Sequence, residues 1–267
     1  MKRFAIVTLD FEKDYGHRVG DFNILKSYKQ INFFTKLIKK YKLPISSFIV
    51  TKLLKNKRYT DLLHSFSSDY HAHSHTHDIF NYDSKYEIFE SFYIFKKYFG
   101  YKPLGYRAPQ GVLNYNDIDY LKSAGFLFSS SVFPSFRPFL FNNLSKSNLP
   151  FSYSNGIIEY PFAATNDKRL IISLSYIKLY GLNYLKKLLN QNSLPNILVL
   201  DTHLHDFIFN LISYKKLPLK YKILYRRNYK ESFSLFLYLV NFLKKQRYNF
   251  ITMSELHDRV ENGDISV

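Results

Sequence analysis

Cysteine and tryptophan are absent from this chain, methionine occurs twice, and 21 acidic residues face 38 lysines and arginines. Without cysteine there is no disulfide framework and no thiolate nucleophile or metal ligand. Such usage is compatible with the cytoplasm. Long apolar runs are missing as well. Met1-Lys2-Arg3 imitates the basic start of an export signal, but the apolar run behind it stops at Asp10, too soon for a signal-peptide core. The apolar stretch from Ser232 to Leu243 is about half a membrane span. The expectation is a soluble, cytoplasmic protein. Any contact with the inner face of the membrane is assigned to the basic, apolar helix read from Glu231 to Lys245.

What is abundant is aromatic and aliphatic. With 46% hydrophobic residues, 24 Tyr and 26 Phe in 267 positions, the chain can bury a large core. Many of the phenols must then sit at its boundary or in a cleft, where the hydroxyl finds a partner. The net charge of +17 comes from lysines scattered over almost every polar helix face. No stripe of cations interleaved with aromatics stands out, so no nucleic-acid partner is expected.

Short runs of strand formers alternate with helical periodicity. Phe4 to Leu9 reads as a buried strand, followed by a helix with Ile24, Tyr28, Ile31, Phe34, Ile38 and Tyr41 at steps of three and four. Further strands are expected at Ile45–Thr51, from Gly105, at Phe126–Phe128, Gly156–Tyr160, Leu170–Leu174, Ile197–His203 and Phe250–Thr252. Helices are expected at Leu53–Phe66, Tyr86–Tyr98, Asn183–Leu189 and from an Asn116 cap to Ala124, with Ser129 to Asn155 as a long loop. Without repeats or linkers, the alternation predicts one α/β domain over residues 1–267. Ionisable residues follow several of these strands: Asp10, Glu12, Arg107 and His203. In parallel α/β folds and barrels such positions converge at one end.

The most distinctive stretch is His71-Ala72-His73-Ser74-His75-Thr76-His77-Asp78. As a strand it would place all four imidazoles on one side. As a helix it would pair His71 with His75 and His73 with His77. Imidazole is a good ligand for zinc and neighbouring metals, and two nitrogens four residues apart are a common way to grip one ion.

Taken in order, these pieces resemble the polysaccharide deacetylase family, the NodB-homology or family-four carbohydrate esterases. Thr8-Leu9-Asp10-Phe11-Glu12 resembles the Asp-x-Glu variant of its first motif. His73-Ser74-His75-Thr76-His77 matches His-Ser/Thr-x-x-His, and Arg107-Ala108-Pro109 matches the Arg-x-Pro turn. Gly125 to Pro134 resembles the fourth region, Leu200 to His203 the strand that ends in histidine, and Phe250 to Leu256 the usual ending. The resemblance implies a distorted (β/α) barrel of seven to eight strands. It implies Asp10 as general base, Arg107 holding Asp10 ionised, and His203 as general acid. Glu12, His73 and His77 would hold a divalent metal, zinc first, with Mn, Co or Fe as alternatives. Two His and one carboxylate leave room for water and a carbonyl, as a hydrolytic metal site requires. A peptide N–H near Gln110 is a candidate second oxyanion donor.

The departures are Phe11 in place of a second Asp, Ser129 in place of an Asp, and no tryptophan wall. His205 competes with His203 for the acid role, and Asp201 or Asp206 would orient that acid. The expected activity is removal of an N-acetyl group from an amino sugar in a polysaccharide or in a nucleotide-linked or lipid-linked glycan precursor. The alternatives are a deformylase or cyclic-amide hydrolase of the same fold, and an inactive homologue that binds glycan or polyanion.

Overall fold

The structure is a computed structural model, and it describes residues 2–16, 18–19, 22–78, 81–138, 140–189 and 194–267. Its axis is β1 (Arg3–Phe11), buried along nearly its whole length. Successive side chains of a strand point to opposite faces. Val7, Leu9 and Phe11 therefore enter the apolar layer beneath the helices, while Phe4 and Ile6 join a second cluster with Phe48, Phe128, Tyr160 and Val199.

From β1 the chain alternates helix and strand. It passes through α1 (Tyr28–Lys40), β2 (Ile45–Ile49), α2 (Lys57–Phe66), β3 (Asp69–Ala72), α3 (Ser84–Phe99) and β4 (Gly105–Tyr106) to α4 (Tyr115–Ala124) and β5 (Phe128–Ser129). A small hairpin, β6 (Phe136–Arg137) and β7 (Phe141–Asn142), precedes β8 (Phe151–Ser152) and β9 (Ile158–Glu159). Then come α5 (Leu174–Tyr180), α6 (Leu182–Leu189), β10 (Ile197–His203) and four helices: α7 (Leu204–Phe207), α8 (Leu211–Lys216), α9 (Leu219–Arg226) and α10 (Ser232–Lys245). β11 (Tyr248–Phe250) and α11 (Met253–Glu261) finish the fold.

The strands lie in the order β10-β1-β2-β3-β4-β5-β9-β8, all parallel except β8, and β11 pairs with the start of β1. Beyond β9, Phe162 makes a parallel bridge to Val199 of β10, and Ala163 N–H donates to Val199 O at 2.9 Å. The sheet thus curls into a distorted α/β barrel, the architecture that the family resemblance implied. Close packing shows at β4, where a Cβ on Gly105 would meet the Phe128 ring at 2.0 Å.

Several local expectations need correcting. Leu170–Leu174 is not a strand: one bridge, Ala164 to Ile171, is followed at once by α5. The cap of α4 is Asn114 rather than Asn116, in a reciprocal box with Asp117. The Ser129–Asn155 stretch carries the β6–β7 hairpin and β8 instead of being all loop. Finally, α10 buries Leu235, Phe236, Leu239, Val240 and Leu243, so its apolar side faces the core rather than a membrane. Among the described residues no helix is long and apolar enough to cross a membrane.

Candidate active site

Strand register brings the first groups together. β1 and β10 pair so that Asp10 lies opposite His203 and Thr8 opposite Asp201. The face that carries Phe4 and Ile6 lower down carries Thr8 and Asp10 at the C-terminal end, and Glu12 follows with the same period of two. Phe11, between them, points the other way, 1% exposed with its ring 6.3 Å from that of Phe66. An Asp-x-Glu spacing is therefore what one strand face can present, and Phe11 is a core residue rather than a lost ligand.

The histidine tract is neither of the regular forms the sequence allowed. β3 includes only His71, and beyond Ala72 the chain turns through Ser74 and His77 at φ 58° and 57°. That path brings the His73 and His77 rings to 4.6 Å, centroid to centroid. His71 is buried elsewhere, between Phe48 and Phe128 with Nε2 3.0 Å from Asp69. His75 turns away to Thr51 Oγ1 at 3.0 Å. Neither joins the ligand pair.

Glu87 of α3, which the sequence did not single out, holds this loop. Its buried carboxylate accepts the His75 and Thr76 N–H groups, each at 2.7 Å, the Thr76 hydroxyl, and the His77 N–H at 3.4 Å. Glu87→Ala leaves those donors without their acceptor, so a stability loss of about 2–3 kcal/mol is expected. Misplacing His73 and His77 should also weaken divalent-metal binding by about 10–100-fold. Denaturant melts and a metal titration of the same protein check both.

Arg107 follows β4 and is 1% exposed. Its guanidinium lies between the rings of Phe48 and Phe162, at 3.9 and 4.5 Å from their centroids. Nη1 donates to Asp10 Oδ1 at 2.6 Å and to Thr8 Oγ1 at 2.9 Å. Nε and Nη2 donate to Ser130 O and Oγ at 2.9 and 3.1 Å. Burial pushes the Asp10 carboxyl up, but Arg107, then His73 and His203, outweigh it and hold the acid below its ordinary range. One Asp10 oxygen is thus fixed by Arg107, while Oδ2 sits 3.5 Å from His73 Nε2 and 3.7 Å from His203 Nε2.

The donors of Glu12, His73 and His77 lie within 4.8 Å of one another. His77 Nε2 is 3.0 Å, and His73 Nε2 3.6 Å, from Glu12 Oε2. His73 Nδ1 faces the Arg107 carbonyl at 2.9 Å, which assigns the proton to Nδ1 and leaves the Nε2 lone pair for the site. Glu12 Oε1 is buried with no hydrogen-bond partner among the described residues. Burial raises the Glu12 pKa, yet the neighbouring imidazoles, His77 first, bring it well below the ordinary value. Two imidazole side chains and one carboxylate with an unpaired buried oxygen fit a divalent transition-metal ion.

The second histidine pair separates cleanly. Burial depresses the His203 pKa, but Asp201, then Asp206, Glu12 and Asp10, carry it well above 6.5. Burial and the neighbouring His203 drive His205 down to about 3. Asp206 accepts the His203 backbone N–H at 3.0 Å and lies 3.4 Å from Nδ1; Asp201 is 3.9 Å from Nδ1. Asp206 is in turn bonded by Ser175 Oγ at 2.8 Å and paired with buried Lys178 at 3.4 Å. Ser129 makes no contact of this kind; its hydroxyl is 2.9 Å from Ser131 Oγ. Nearby, Glu159 accepts the N–H groups of Ser131 and Val132 at 2.7 and 2.8 Å. Lys178 and Glu159 carried no signal in the sequence, because their partners are remote in the chain.

Asp10, Glu12, His73, His77, Arg107 and His203 open on one cavity of about 300 Å³, whose walls include Gln110, Phe133, Tyr176 and Tyr225. Gln110 is in the left-handed region, at φ 57°.

No family model matches the chain, and no curated protein matches it in sequence. Solved structures match it in fold. A protein assigned as a polysaccharide deacetylase from Mycobacterium smegmatis aligns over 100% of this chain and 93% of its own, at 14% identity and a TM-score of 0.55. The fold is that of the polysaccharide deacetylases. A pseudoenzyme of carbohydrate esterase family 4 from Bacillus anthracis shares the polysaccharide-deacetylase fold over 96% of this chain and 65% of its own, at 11% identity and a TM-score of 0.51. So does part of a 4-α-glucanotransferase from Thermococcus litoralis, over 97% of this chain and 41% of that one, at 12% identity and a TM-score of 0.58. The polysaccharide-deacetylase fold therefore carries more than one outcome, and activity is decided by the side chains of the site.

Proposed function

We propose that this chain is a metal-dependent hydrolase that removes an N-acetyl group from an amino sugar of a glycan or glycan precursor. The observation that carries the reading is the convergence of Glu12, His73 and His77, with Asp10 Oδ2 3.5 Å from His73 and 3.7 Å from His203, all on one cavity. A divalent ion held by the three ligands, zinc first, would polarise the acetamide carbonyl and acidify water.

The protein's own groups do the rest. Asp10 Oδ2 takes a proton from the attacking water, and Arg107 keeps that carboxylate ionised beforehand. As the carbonyl oxygen gains charge, the backbone around Gln110 is the candidate hydrogen-bond donor. The carbon–nitrogen bond breaks only if the nitrogen leaves as an amine, and His203 supplies the proton. Its acidic neighbours favour the charged, proton-donating form, whereas burial and the His203 charge hold His205 in the neutral form, a far weaker acid. The products are acetate and a free amino sugar. A cytoplasmic enzyme of this kind would meet a nucleotide-linked or lipid-linked precursor rather than a finished wall polymer.

Metal content of the purified protein tests the reading. We expect close to one divalent ion per chain by plasma mass spectrometry, reduced to background in a His73→Ala/His77→Ala protein along with amide hydrolysis. Full metal content in the double variant would dismiss the site. Acetate against formate release from matched N-acetyl and N-formyl sugars distinguishes a deacetylase from a deformylase of the same fold.

A further inference from the structure

α8 and α9, two of the three helices between the histidine strand and α10, are unlike the others. α9 buries no residue at all. Leu219 (75% exposed), Ile223 (65%), Ile212 (61%) and Leu211 (55%) are the four most exposed large aliphatic side chains among the described residues. Leu219 and Ile223 are four residues apart on α9, so they share one face. The stretch from Leu211 to Arg227 contains Lys215, Lys216, Lys220, Lys222, Arg226 and Arg227 and not one acidic residue. Elsewhere the basic charge is scattered; here it is joined to exposed aliphatic surface. On its other side α9 walls the cavity with Leu224 and Tyr225, and Arg18 stacks on Tyr221 at 4.0 Å.

We propose that α8 and α9 form a docking face for an anionic phospholipid surface, with Leu211, Ile212, Leu219 and Ile223 entering the boundary between headgroups and acyl chains. Apolar side chains flanked by lysine and arginine match that boundary in both polarity and charge. A second copy of the chain is a poor occupant, since an isologous contact would set six cations against six with no acid among them. The role expected of α10 from its composition thus passes to α8 and α9, which keep Leu211, Ile212, Leu219 and Ile223 outside. For the hydrolytic reading, on which only this last step rests, the favoured substrate becomes a glycan carried by a membrane lipid.

Vesicle co-sedimentation tests the docking without any turnover, so it can fail or stand independently of the hydrolase reading. The full chain is expected to sediment with vesicles of phosphatidylcholine containing roughly one-third phosphatidylglycerol and to stay in solution with phosphatidylcholine alone. Leu219→Asp/Ile223→Asp and, separately, Lys220→Glu/Arg226→Glu should each lower the bound fraction by about tenfold or more, with unchanged melting curves because all four sites are solvent-exposed. Failure of the unaltered chain to bind the anionic vesicles overturns the proposal, as does wild-type binding by either double variant. A concentration-dependent dimer that Leu219→Asp/Ile223→Asp dissolves would assign the face to a second copy instead.

Discussion

An Asp10→Asn protein should lose about 10²–10⁴-fold in kcat toward an N-acetylated glycan, the usual contribution of a positioned general base. Its KM should change little. The substitution keeps an oxygen for the 2.6 Å contact with Arg107 while removing the basicity of the oxygen that faces His73 and His203. It also leaves the Arg107 charge deep in the protein, and removing one partner of a buried pair costs about 3–5 kcal/mol in general. Here a replacement is at hand. Asp201 lies 3.6 Å from the same guanidinium, and burial holds its carboxyl up to about 6, with the Asp10 charge adding to the rise. At neutral pH Asp201 is already mostly ionised, and once Asp10 is neutral it is expected to carry more of the pairing with Arg107. The measured stability loss should therefore fall below that range. Rates and denaturant melts on the same preparation separate the two effects. Wild-type kcat in the variant would remove Asp10 from the base role, whatever happened to stability.

Much of this site was legible because its logic is local to strands. The period of two in β1 puts Asp10 and Glu12 on one face and sends Phe11 to the other, so a departure that looked like damage is a consequence of pleating. The alternation of strands and helices indicated one α/β domain, and ionisable residues just past strand ends converged as parallel sheets require. The histidine tract was ambiguous for a physical reason. Its ligand geometry depends on left-handed backbone at Ser74 and His77, which neither helical nor extended periodicity describes. That backbone is held by a carboxylate from α3, and nothing in the sequence ties Glu87 to the N–H groups of a loop before it. Lys178 was hidden in the same way, since it serves Asp206 from another helix. The apolar helix from Ser232 misled because hydrophobicity alone cannot tell a core-facing surface from an outward one. Only packing shows that α10 turns inward while the less hydrophobic α9 does not.

Exchange of His203 for Gln should discriminate between substrates in a way that exchange of His205 does not. An amine cannot leave from carbon without a proton, so the variant should lose about 10²–10⁴-fold on an N-acetyl sugar. An activated aryl acetate, whose phenolate leaves unprotonated, should be cleaved with a loss of about tenfold or less, because the acid is no longer needed. His205→Gln is expected to cost about tenfold or less on both substrates. His205 is neutral, stacks on His203 with ring centroids 4.6 Å apart, and contributes packing rather than a proton. The contrast rests on environment, for the two rings are neighbours in the same cavity wall. Asp201 and Asp206 flank His203 and keep it charged, while His205 is packed against Tyr15 and Tyr225. Equal losses on amide and aryl ester in the His203 variant would point to a binding or structural role. A larger amide-specific loss at His205 would exchange the two assignments.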